Sequence, residues 1–378
     1  MDRVRELDGI RGVAILLVLV WHYVNRQIEP SNVGLLPYLK LATNVTWSGV
    51  DLFFVLSGFL IGGILFDHRS SANYFRVFYI RRACRILPLY FVIIGVFLVL
   101  SQRVSRDFDW LFAGALPAWT YVTFTQNYYL HSFVGAAHWL DLTWSLAVEE
   151  QFYLGLPLLI RFVAAPLIVP SLIFLILLGP IMRFWVGGLG AYVYAFCRTD
   201  ALLLGVLLAW LFRQPKFVQF VRSKRLLGWS VLSALILLTS FIPLIAFAFG
   251  GVGNHFWFAI LYGLFLLLVV VFPESHLAGI LRNPILVWLG IRSYCIYLTH
   301  QAVSGLLHGA IFSAEPRIDG GYQFIVTVAA TLAVWLLASL SFRYFELPLL
   351  SFGRRFSYHD GHPSVDKQCA TDSRSITF

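Results

Sequence analysis

The 378-residue chain has little charge. Only 12% of its residues are Asp, Glu, Lys or Arg, about half of the roughly 25% found in an ordinary soluble domain. Apolar residues make up 59% of the chain, and its mean hydropathy is +0.77. One water-soluble core cannot hide that much apolar surface, whereas each helix that crosses a bilayer takes about 20 apolar residues. The composition therefore excludes a soluble globular protein and predicts an all-α membrane protein.

Cysteine is also scarce, and no metal-ligand motif is present. The four cysteines, Cys84, Cys197, Cys295 and Cys369, are too scattered to form a disulfide framework or a zinc site. The formal net charge of +9 is the excess that the cytoplasmic loops of membrane proteins produce, so it does not indicate nucleic acid. The sequence predicts no metal, no permanently bound cofactor and no nucleic-acid partner.

Long apolar runs recur along the body of the chain and predict a polytopic bundle of about ten transmembrane helices. They lie at about 10–26, 48–66, 86–101, 143–163, 165–186, 199–213, 226–249, 255–273, 284–309 and 322–346. A further stretch, 110–130, is interrupted by Pro117 and rich in Thr, Tyr and Asn. It suits an interfacial or re-entrant segment better than a lipid-exposed span, although an eleventh helix stays open.

The distribution of basic residues predicts the orientation of this bundle. With a cytoplasmic N-terminus, 18 of the 28 Lys and Arg residues fall in inside loops and 7 in outside loops. Because cytoplasmic loops carry the basic excess, this bias favours an N-in and C-in bundle in the lipid bilayer. We expect residues 1–350 to form one transmembrane domain and residues 351–378 to form a polar, disordered cytoplasmic tail.

Two ionisable residues share one face of the first predicted span. Arg11 and His22 are eleven residues apart, which on a helix is about 20° around the axis and roughly 16 Å along it. An ionisable side chain at mid-bilayer costs on the order of 2.5 to 3.5 kcal/mol, so both are candidate functional residues. The alternative is a snorkelling arginine and a histidine that packs in the core.

Carboxylates on two other spans are expected at the depth of His22. Asp51 begins the second span, and Glu149 and Glu150 lie near the start of the fourth. Because a carboxylate fixes the tautomer of a histidine and stabilises its charged form, Asp51 or Glu149 is predicted to orient His22 as a base. The second glutamate is then structural or pairs with Arg198, and Asp51 has helix capping as its alternative.

An arginine cluster precedes the third span, near the level of Arg11. It consists of Arg76, Arg81, Arg82 and Arg85. Such a cluster ordinarily anchors a helix at the cytoplasmic surface, but guanidinium groups also bind phosphates through their fork of donors. Acyl-coenzyme A (acyl-CoA), with phosphates at the inner face and a thin arm that reaches roughly 16 Å to His22, fits both features.

At these residues the chain resembles the acyltransferase family 3 integral-membrane O-acyltransferases. The matching stretches are ELDGIRGVAILLVLVWHY at 6–23, WSGVDLFFVLSGFLIGGIL at 47–65, FYIRRACRILPLYF at 78–91, LTWSLAVEEQFYL at 142–154, CRTDALLLG at 197–205, LGIRSYCIYLTHQ at 289–301 and FELP at 345–348. In order, they cover the chain from about residue 5 to 350. The resemblance implies a multi-pass bacterial enzyme of the inner (plasma) membrane that acylates surface polysaccharides, peptidoglycan or small molecules.

The resemblance also implies roles for particular residues. Arg11 and His22 correspond to the essential arginine and histidine of the family's first helix, and the arginines at 81, 82 and 85 to a loop implicated in donor binding. Glu149 and Glu150 lie on the family's acidic helix. The implied reaction moves an acyl group, most commonly acetyl, from cytoplasmic acyl-CoA to a hydroxyl, often of a sugar. Some members carry a fused extracytoplasmic hydrolase-like domain, for which this chain has no room, so direct transfer and a separate partner protein both stay open.

We therefore predict an O-acyltransferase in which Arg11 and the loop arginines hold the phosphates of acyl-CoA. His22, oriented by Glu149 or Asp51, removes the proton of the acceptor hydroxyl or takes the acyl group itself. The alternative is a proton-coupled secondary transporter or channel with a relay of His22, Asp51, Glu149 and His300, although no internal repeat supports it. A pseudo-enzyme that scaffolds polysaccharide assembly is a third hypothesis.

Further residues at the outer ends of the spans are candidates for binding the acceptor. They are Trp144, Glu150, Arg198 and Asp200. For Arg198 and Asp200 the alternative is a role at the start of the helix. Segment 102–141 adds aromatic rings that either stack on sugars or form an interfacial belt: Trp110, Trp119, Tyr121, Tyr128, Tyr129 and Trp139.

Overall fold

The computed structural model describes residues 4–29, 34–103, 108–130, 138–241 and 254–359. Every element of regular secondary structure in these ranges is helical. In chain order the α-helices are α1 (Arg5–Val20), α2 (Leu36–Ala42), α3 (Gly49–Asp67), α4 (Tyr74–Ser101), α5 (Asp109–Phe112), α6 (Ala118–Val122), α7 (Gln126–Tyr129), α8 (His138–Asp141), α9 (Trp144–Phe162), α10 (Ala165–Val186), α11 (Gly188–Val193), α12 (Thr199–Phe212), α13 (Pro215–Ser223), α14 (Arg225–Thr239), α15 (Asn254–Val271), α16 (His276–Leu281), α17 (Pro284–Phe312), α18 (Gly321–Ser341) and α19 (Leu347–Arg354). Two π-helical turns, Trp21–Asn25 and Phe342–Glu346, extend α1 and α18.

Six continuous helical segments within the described ranges are long and apolar enough to cross a membrane. They are Arg5–Asn25, Leu36–Asp67, Tyr74–Ser101, Ala165–Val186, Asn254–Val271 and Gly321–Arg354. The pair α12 and α13, bent by 96°, makes a seventh if it counts as one span. The fold is thus an all-helical, multi-span membrane bundle, as predicted, while the count of about ten spans and the N-in, C-in orientation are not confirmed.

The other predicted runs also fold as helices, but they are more polar or shorter. α9 carries Glu149, Glu150 and Arg161, and α17 carries Arg292 and His300. Ionisable side chains on membrane helices face the interior of a bundle or a water-filled cavity, and this is where the functional site lies. α14 has 15 residues, and the last third of its predicted run, 242–249, lies outside the described residues.

Segment 108–130 does not form one spanning helix. It contains the short helices α5, α6 and α7, separated by turns. Pro117, which has no N–H to donate, directly precedes α6, and Phe124 adopts a left-handed φ of 52° between α6 and α7. Both features interrupt a continuous helix. This arrangement agrees with the predicted interfacial or re-entrant segment rather than with an eleventh helix.

Glycines allow very close helix crossings in the centre of the bundle. A Cβ built on Gly290 of α17 would lie 1.8 Å from the backbone oxygen of Asp8 in α1, and one on Gly58 of α3 would lie 1.8 Å from that of Leu202 in α12. Small residues at such crossings are the usual means of packing membrane helices. As a result α1, which carries Arg11 and His22, is held against α17 on one side and α3 on another.

The C-terminal segment folds back against the start of α4. The predicted domain boundary at 350 falls inside α19. The chain beyond it is anchored by one backbone hydrogen bond, from the N–H of Ala72 to the carbonyl of His359 at 3.2 Å, and by three hydrogen bonds that involve side chains. Arg81 Nε donates to the carbonyl of Phe356 at 2.9 Å, Asn73 Nδ2 donates to that of Ser357 at 2.9 Å, and the N–H of His359 donates to Asn73 Oδ1 at 2.9 Å. The remainder of the predicted tail, 360–378, lies outside the described residues.

Candidate active site

A cavity of about 750 Å³ lies where α1 begins, between α1, α3, α4, α9, α17 and α19. We call it the arginine cavity because five arginines line it: Arg11, Arg81, Arg82, Arg85 and Arg354. The acidic residues in its lining are Asp8 and Glu149. The structure therefore brings together the four arginines that the sequence suggested for donor binding. A concave site with a cationic excess concentrates anionic ligands.

Arg11 is held in place within α1. Its NH1 group donates to Asp8 Oδ1 at 2.6 Å, one helical turn away, and Asp8 is buried. The carboxylate of Asp8 thus fixes one end of the guanidinium group, while about a fifth of the Arg11 side chain stays exposed. Arg11 also lines the arginine cavity, where a guanidinium group can bind an anion.

Glu149 lies in the arginine cavity and not beside His22. The hydroxyls of Ser57 and Tyr153, themselves 2.6 Å apart, bind its carboxylate, which faces the guanidinium groups of Arg82 and Arg85. The prediction that Glu149 orients His22 is corrected here. The reason is the depth of Glu149 along α9. Ser145, one turn earlier in this helix, lies at the boundary with the cavity that contains His22, so Glu149 lies one turn beyond that boundary.

A second cavity, of about 700 Å³, contains His22 and adjoins the first. We call it the histidine cavity. Aromatic rings make up much of its lining, and they include Trp21, Trp47, Trp110, Trp144 and Tyr192. Its polar lining includes Arg26, Gln27, Asp141, Gln301 and Glu315. Val50 and Tyr297 line both cavities, so the two spaces meet at these side chains.

His22 presents a basic nitrogen to this cavity. It lies in the π-helical turn that ends the first span, and its Nδ1 is 2.9 Å from the carbonyl oxygen of Val18. A carbonyl only accepts hydrogen bonds, so Nδ1 carries the proton and Nε2 is the basic atom. π-helical turns are rare and are often found at functional sites.

The side chain in contact with His22 is a second imidazole, not a carboxylate. The rings of His22 and His300 meet edge to face with their centroids 4.9 Å apart. His300 Nδ1 donates to the carbonyl of Tyr297 at 2.7 Å, and its Nε2 is buried without a hydrogen-bond partner among the described residues. His300 therefore belongs to the site, although the sequence analysis named it only in the alternative proton relay.

Asp51 serves a buried ion pair rather than His22. Its Oδ1 accepts from Arg198 NH2 at 2.6 Å, and its Oδ2 is 3.4 Å from His255 Nδ1. Both members of the ion pair are 1% exposed. The guanidinium group also lies over three aromatic rings, with 5.4 to 5.7 Å to the centroids, which are those of Phe54, Trp144 and Tyr192. The predicted role of Asp51 as the group that orients His22 is corrected, because Arg198 from a distant part of the chain occupies its carboxylate.

The remaining predicted acceptor residues divide between the cavity and the core. Trp144 lines the histidine cavity. Asp200 pairs with Arg183 at 2.6 Å, both buried, and so belongs to the packing of α10 against α12. Neither Arg198, Asp200 nor Glu150 lines either cavity. Arg183 and Arg198 are among the largest fully buried side chains of the described fold.

Segment 102–141 contributes less aromatic surface to the cavity than the sequence suggested. Trp110 lines it, Trp139 is buried in the core, and Trp119 is about half exposed. Asp141, which the sequence did not indicate, lines the cavity as well. Burial raises the pKa of Asp141 to about 7, and the nearby Arg26 partly opposes this shift.

Two residues of the C-terminal segment line the arginine cavity and were missed from the sequence. They are Arg354 and Tyr358. The Tyr358 ring stacks on His68 with centroids 3.9 Å apart, and the Arg81 guanidinium lies 5.3 Å from its centroid. Burial raises the pKa of Tyr358, so its hydroxyl stays protonated and can donate to an anion. Nothing in a polar terminal stretch signals such a role; only the fold places it at the cavity.

Across the ranges that the structure describes, no group of three or more His, Cys, Asp and Glu side chains is placed to hold a metal ion. The arrangement instead combines a cationic cavity for an anionic ligand with a free imidazole nitrogen next to it. Such a pair of neighbouring spaces can bind two substrates and transfer a group between them.

The chain belongs to the acyltransferase 3 family, because the family model described as an acyltransferase domain matches residues 4–354. This match confirms the resemblance seen in the motifs. Among its relatives, the peptidoglycan O-acetyltransferase OatA of Listeria monocytogenes is 30% identical over 93% of this chain and 56% of its own length. The O-acetyltransferase OatA of Staphylococcus aureus (strain NCTC 8325) is 28% identical over 92% of this chain and 57% of its own. The chain thus spans little more than half the length of these curated relatives. No solved structure matches it.

Proposed function

We propose that this protein is an integral-membrane O-acyltransferase of the bacterial inner membrane that moves an acetyl group from acetyl-CoA to a hydroxyl of a saccharide. The observation that carries the proposal is the pair of adjoining cavities, one lined by five arginines and one by His22. Family membership supports acyl transfer as the reaction. With the N-in, C-in orientation, the arginine cavity faces the cytoplasm, where acyl-CoA is found.

The arginine cavity suits the phosphate groups of coenzyme A. A guanidinium group binds a phosphate through two parallel hydrogen bonds, which gives orientation as well as affinity. Arg81 and Arg354 lie beside the C-terminal segment, whereas Arg82 and Arg85 face Glu149. Glu149 offsets part of the positive charge of these two guanidinium groups. A volume of about 750 Å³ lies within the range of roughly 300 to 1,000 Å³ that is usual for small-molecule sites.

The histidine cavity suits a saccharide. Its aromatic rings offer flat apolar faces to the C–H side of a sugar ring, and its amides and carboxylates match sugar hydroxyls. Trp110, Trp144 and Tyr192 supply the rings, and Gln301 and Glu315 supply polar partners. The relative from Listeria is named a peptidoglycan O-acetyltransferase, which supports a glycan as the acceptor class.

The chemistry centres on His22. Nε2 accepts the proton of the acceptor hydroxyl while the hydroxyl oxygen attacks the thioester carbonyl. The C–O bond forms and the C–S bond breaks. The proton then passes from Nε2 to the departing thiolate of coenzyme A. Alternatively Nε2 attacks the carbonyl first and holds the acyl group until the hydroxyl arrives. In both routes the hydrogen bond from Nδ1 to Val18 fixes the reactive tautomer.

The proton-relay alternative loses its geometric basis. Its four groups fall into separate environments: His22 and His300 lie together, Glu149 faces the arginines, and Asp51 is bound by Arg198. A transporter would couple substrate movement to protons without releasing coenzyme A. Uptake of substrate into liposomes without coenzyme A release would favour the transporter over the proposed enzyme.

The test is acetyl transfer by the purified full chain with radiolabelled acetyl-CoA, read as coenzyme A release and as labelled glycan. We expect His22→Ala to lose at least about 100-fold in rate, because a positioned general base contributes roughly 10² to 10⁴. His276→Ala, at an exposed position on α16 away from both cavities, is the matched control. Coenzyme A release that persists undiminished in His22→Ala would refute the proposal.

A further inference from the structure

Tyr297 of α17 stands at the boundary between the two cavities. Its hydroxyl donates to the carbonyl of Leu142 at 2.9 Å and lies 2.7 Å from Ser145 Oγ. Leu142 lines the histidine cavity, and Ser145 lines the arginine cavity. The hydroxyl is therefore fastened to one residue of each cavity, and the buried ring fills the space between them.

The backbone of the same residue is linked to the reactive histidine. The carbonyl of Tyr297 accepts from His300 Nδ1 at 2.7 Å, and the ring of His300 contacts that of His22. The other side chain that lines both cavities is Val50 of α3. A thioester whose phosphates lie among the arginines has to place its acyl group at Tyr297 and Val50 in order to reach His22.

We propose that Tyr297 determines which acyl groups the enzyme transfers. This inference rests on the proposed function and adds a specificity residue to it. On this proposal the ring, held by its two hydroxyl contacts at the boundary, admits an acetyl group beside Val50 and blocks a longer chain. One extra methylene in a hydrophobic pocket changes kcat/KM by about 10- to 200-fold. A ring at this position therefore gives a strong preference for the shortest acyl chain.

The test compares kcat/KM for acetyl-CoA, butyryl-CoA and octanoyl-CoA with one acceptor in the full chain. In Tyr297→Ala we expect the preference for acetyl over butyryl to fall at least about tenfold, because removing the ring opens space for methylenes. In Tyr297→Phe, which keeps the ring and loses only the hydroxyl, we expect the preference to stay within about threefold of wild type. An unchanged preference in Tyr297→Ala, or its loss in Tyr297→Phe, overturns the assignment.

Tyr262 provides the matched control. Its hydroxyl lies 2.6 Å from Ser48 Oγ, so it forms the same kind of tyrosine–serine pair, but it lines neither cavity. Tyr262→Ala is expected to keep the acyl preference, and an equal shift there would show general loosening of the bundle and overturn the proposal. Should Tyr297→Ala not yield folded protein by size exclusion and thermal unfolding, Tyr297→Val takes its place.

The outcomes separate this inference from the function on which it rests. If the wild-type chain transfers no acyl group from any coenzyme A thioester, the proposed function fails and the assignment of Tyr297 fails with it. If the wild type transfers acetyl in a manner that depends on His22 but Tyr297→Ala keeps the wild-type preference, only the assignment of Tyr297 is wrong.

Discussion

Asp51 is expected to act in stability rather than in chemistry, and the variant that tests this is Asp51→Asn. The substitution keeps the shape of the side chain but removes the charge that Arg198 requires, and both residues are 1% exposed. On Arg198, Nε and NH1 have no hydrogen-bond partner among the described residues. Loss of the negative charge thus leaves a buried guanidinium cation that only an amide oxygen and the aromatic neighbours offset.

The magnitude follows from this burial. Removing one partner of a buried ion pair typically costs about 3 to 5 kcal/mol, because the other charge stays desolvated and unpaired. The amide oxygen of the substituted side chain still accepts from Arg198 NH2, which opposes part of this cost. We therefore expect Asp51→Asn to lower the free energy of unfolding by about 3 kcal/mol, near the lower end of this range. At about 2 °C per kcal/mol for a large chain, the unfolding midpoint should fall by roughly 6 °C.

The assay is thermal unfolding in detergent, paired with acetyl-CoA turnover well below the midpoint. We expect Asp51→Asn to lower the midpoint while kcat stays within about threefold of wild type. The double variant Asp51→Leu and Arg198→Met, which removes both charges, is expected to regain most of the lost stability, because an apolar pair of similar volume is often neutral. A large loss of kcat in Asp51→Asn at an unchanged midpoint would refute this reasoning and return Asp51 to the catalytic group.

Two further predictions concern the arginine cavity and the outer segment. Arg354→Ala and Tyr358→Phe are each expected to raise KM for acetyl-CoA about tenfold at nearly constant kcat, because each variant loses one contact of about 1.5 kcal/mol to a charged phosphate. KM for acetyl-pantetheine, which has no phosphate, should not change. An equal rise in KM for both donors would contradict the assignment. Folding raises the pKa of Asp141 from 3.8 to about 7. Between about pH 4 and 7 the folded state therefore binds more protons than the unfolded state. The free energy of unfolding falls as the pH rises through this range. Asp141→Asn should remove that part of the fall in the unfolding midpoint between pH 4 and 8, and an identical slope in wild type and variant would exclude Asp141 as its source.

Local patterns were sufficient for the class of the protein and for part of the site. The apolar runs predicted helices because hydrophobic length and helical period are local properties of the chain. The arginines at 81, 82 and 85 are close neighbours in sequence near the start of the third predicted span, which predicts a position at the cytoplasmic level of Arg11. These residues indeed line one cavity. Motif resemblance, which the family match confirms, added the reaction class.

What the sequence by itself determined, then, is the all-helical membrane body, its family and the arginine group. Only the tertiary structure decided which charged groups meet, because helical rise fixes the depth of a side chain but not the direction in which its helix faces a neighbour. Packing placed Arg198 on Asp51, turned Glu149 toward Arg82 and Arg85, and put His300 against His22. The same packing brings Arg354 and Tyr358, which are more than 260 residues from Arg81 in sequence, into the lining of the arginine cavity. No local sequence pattern encodes this contact.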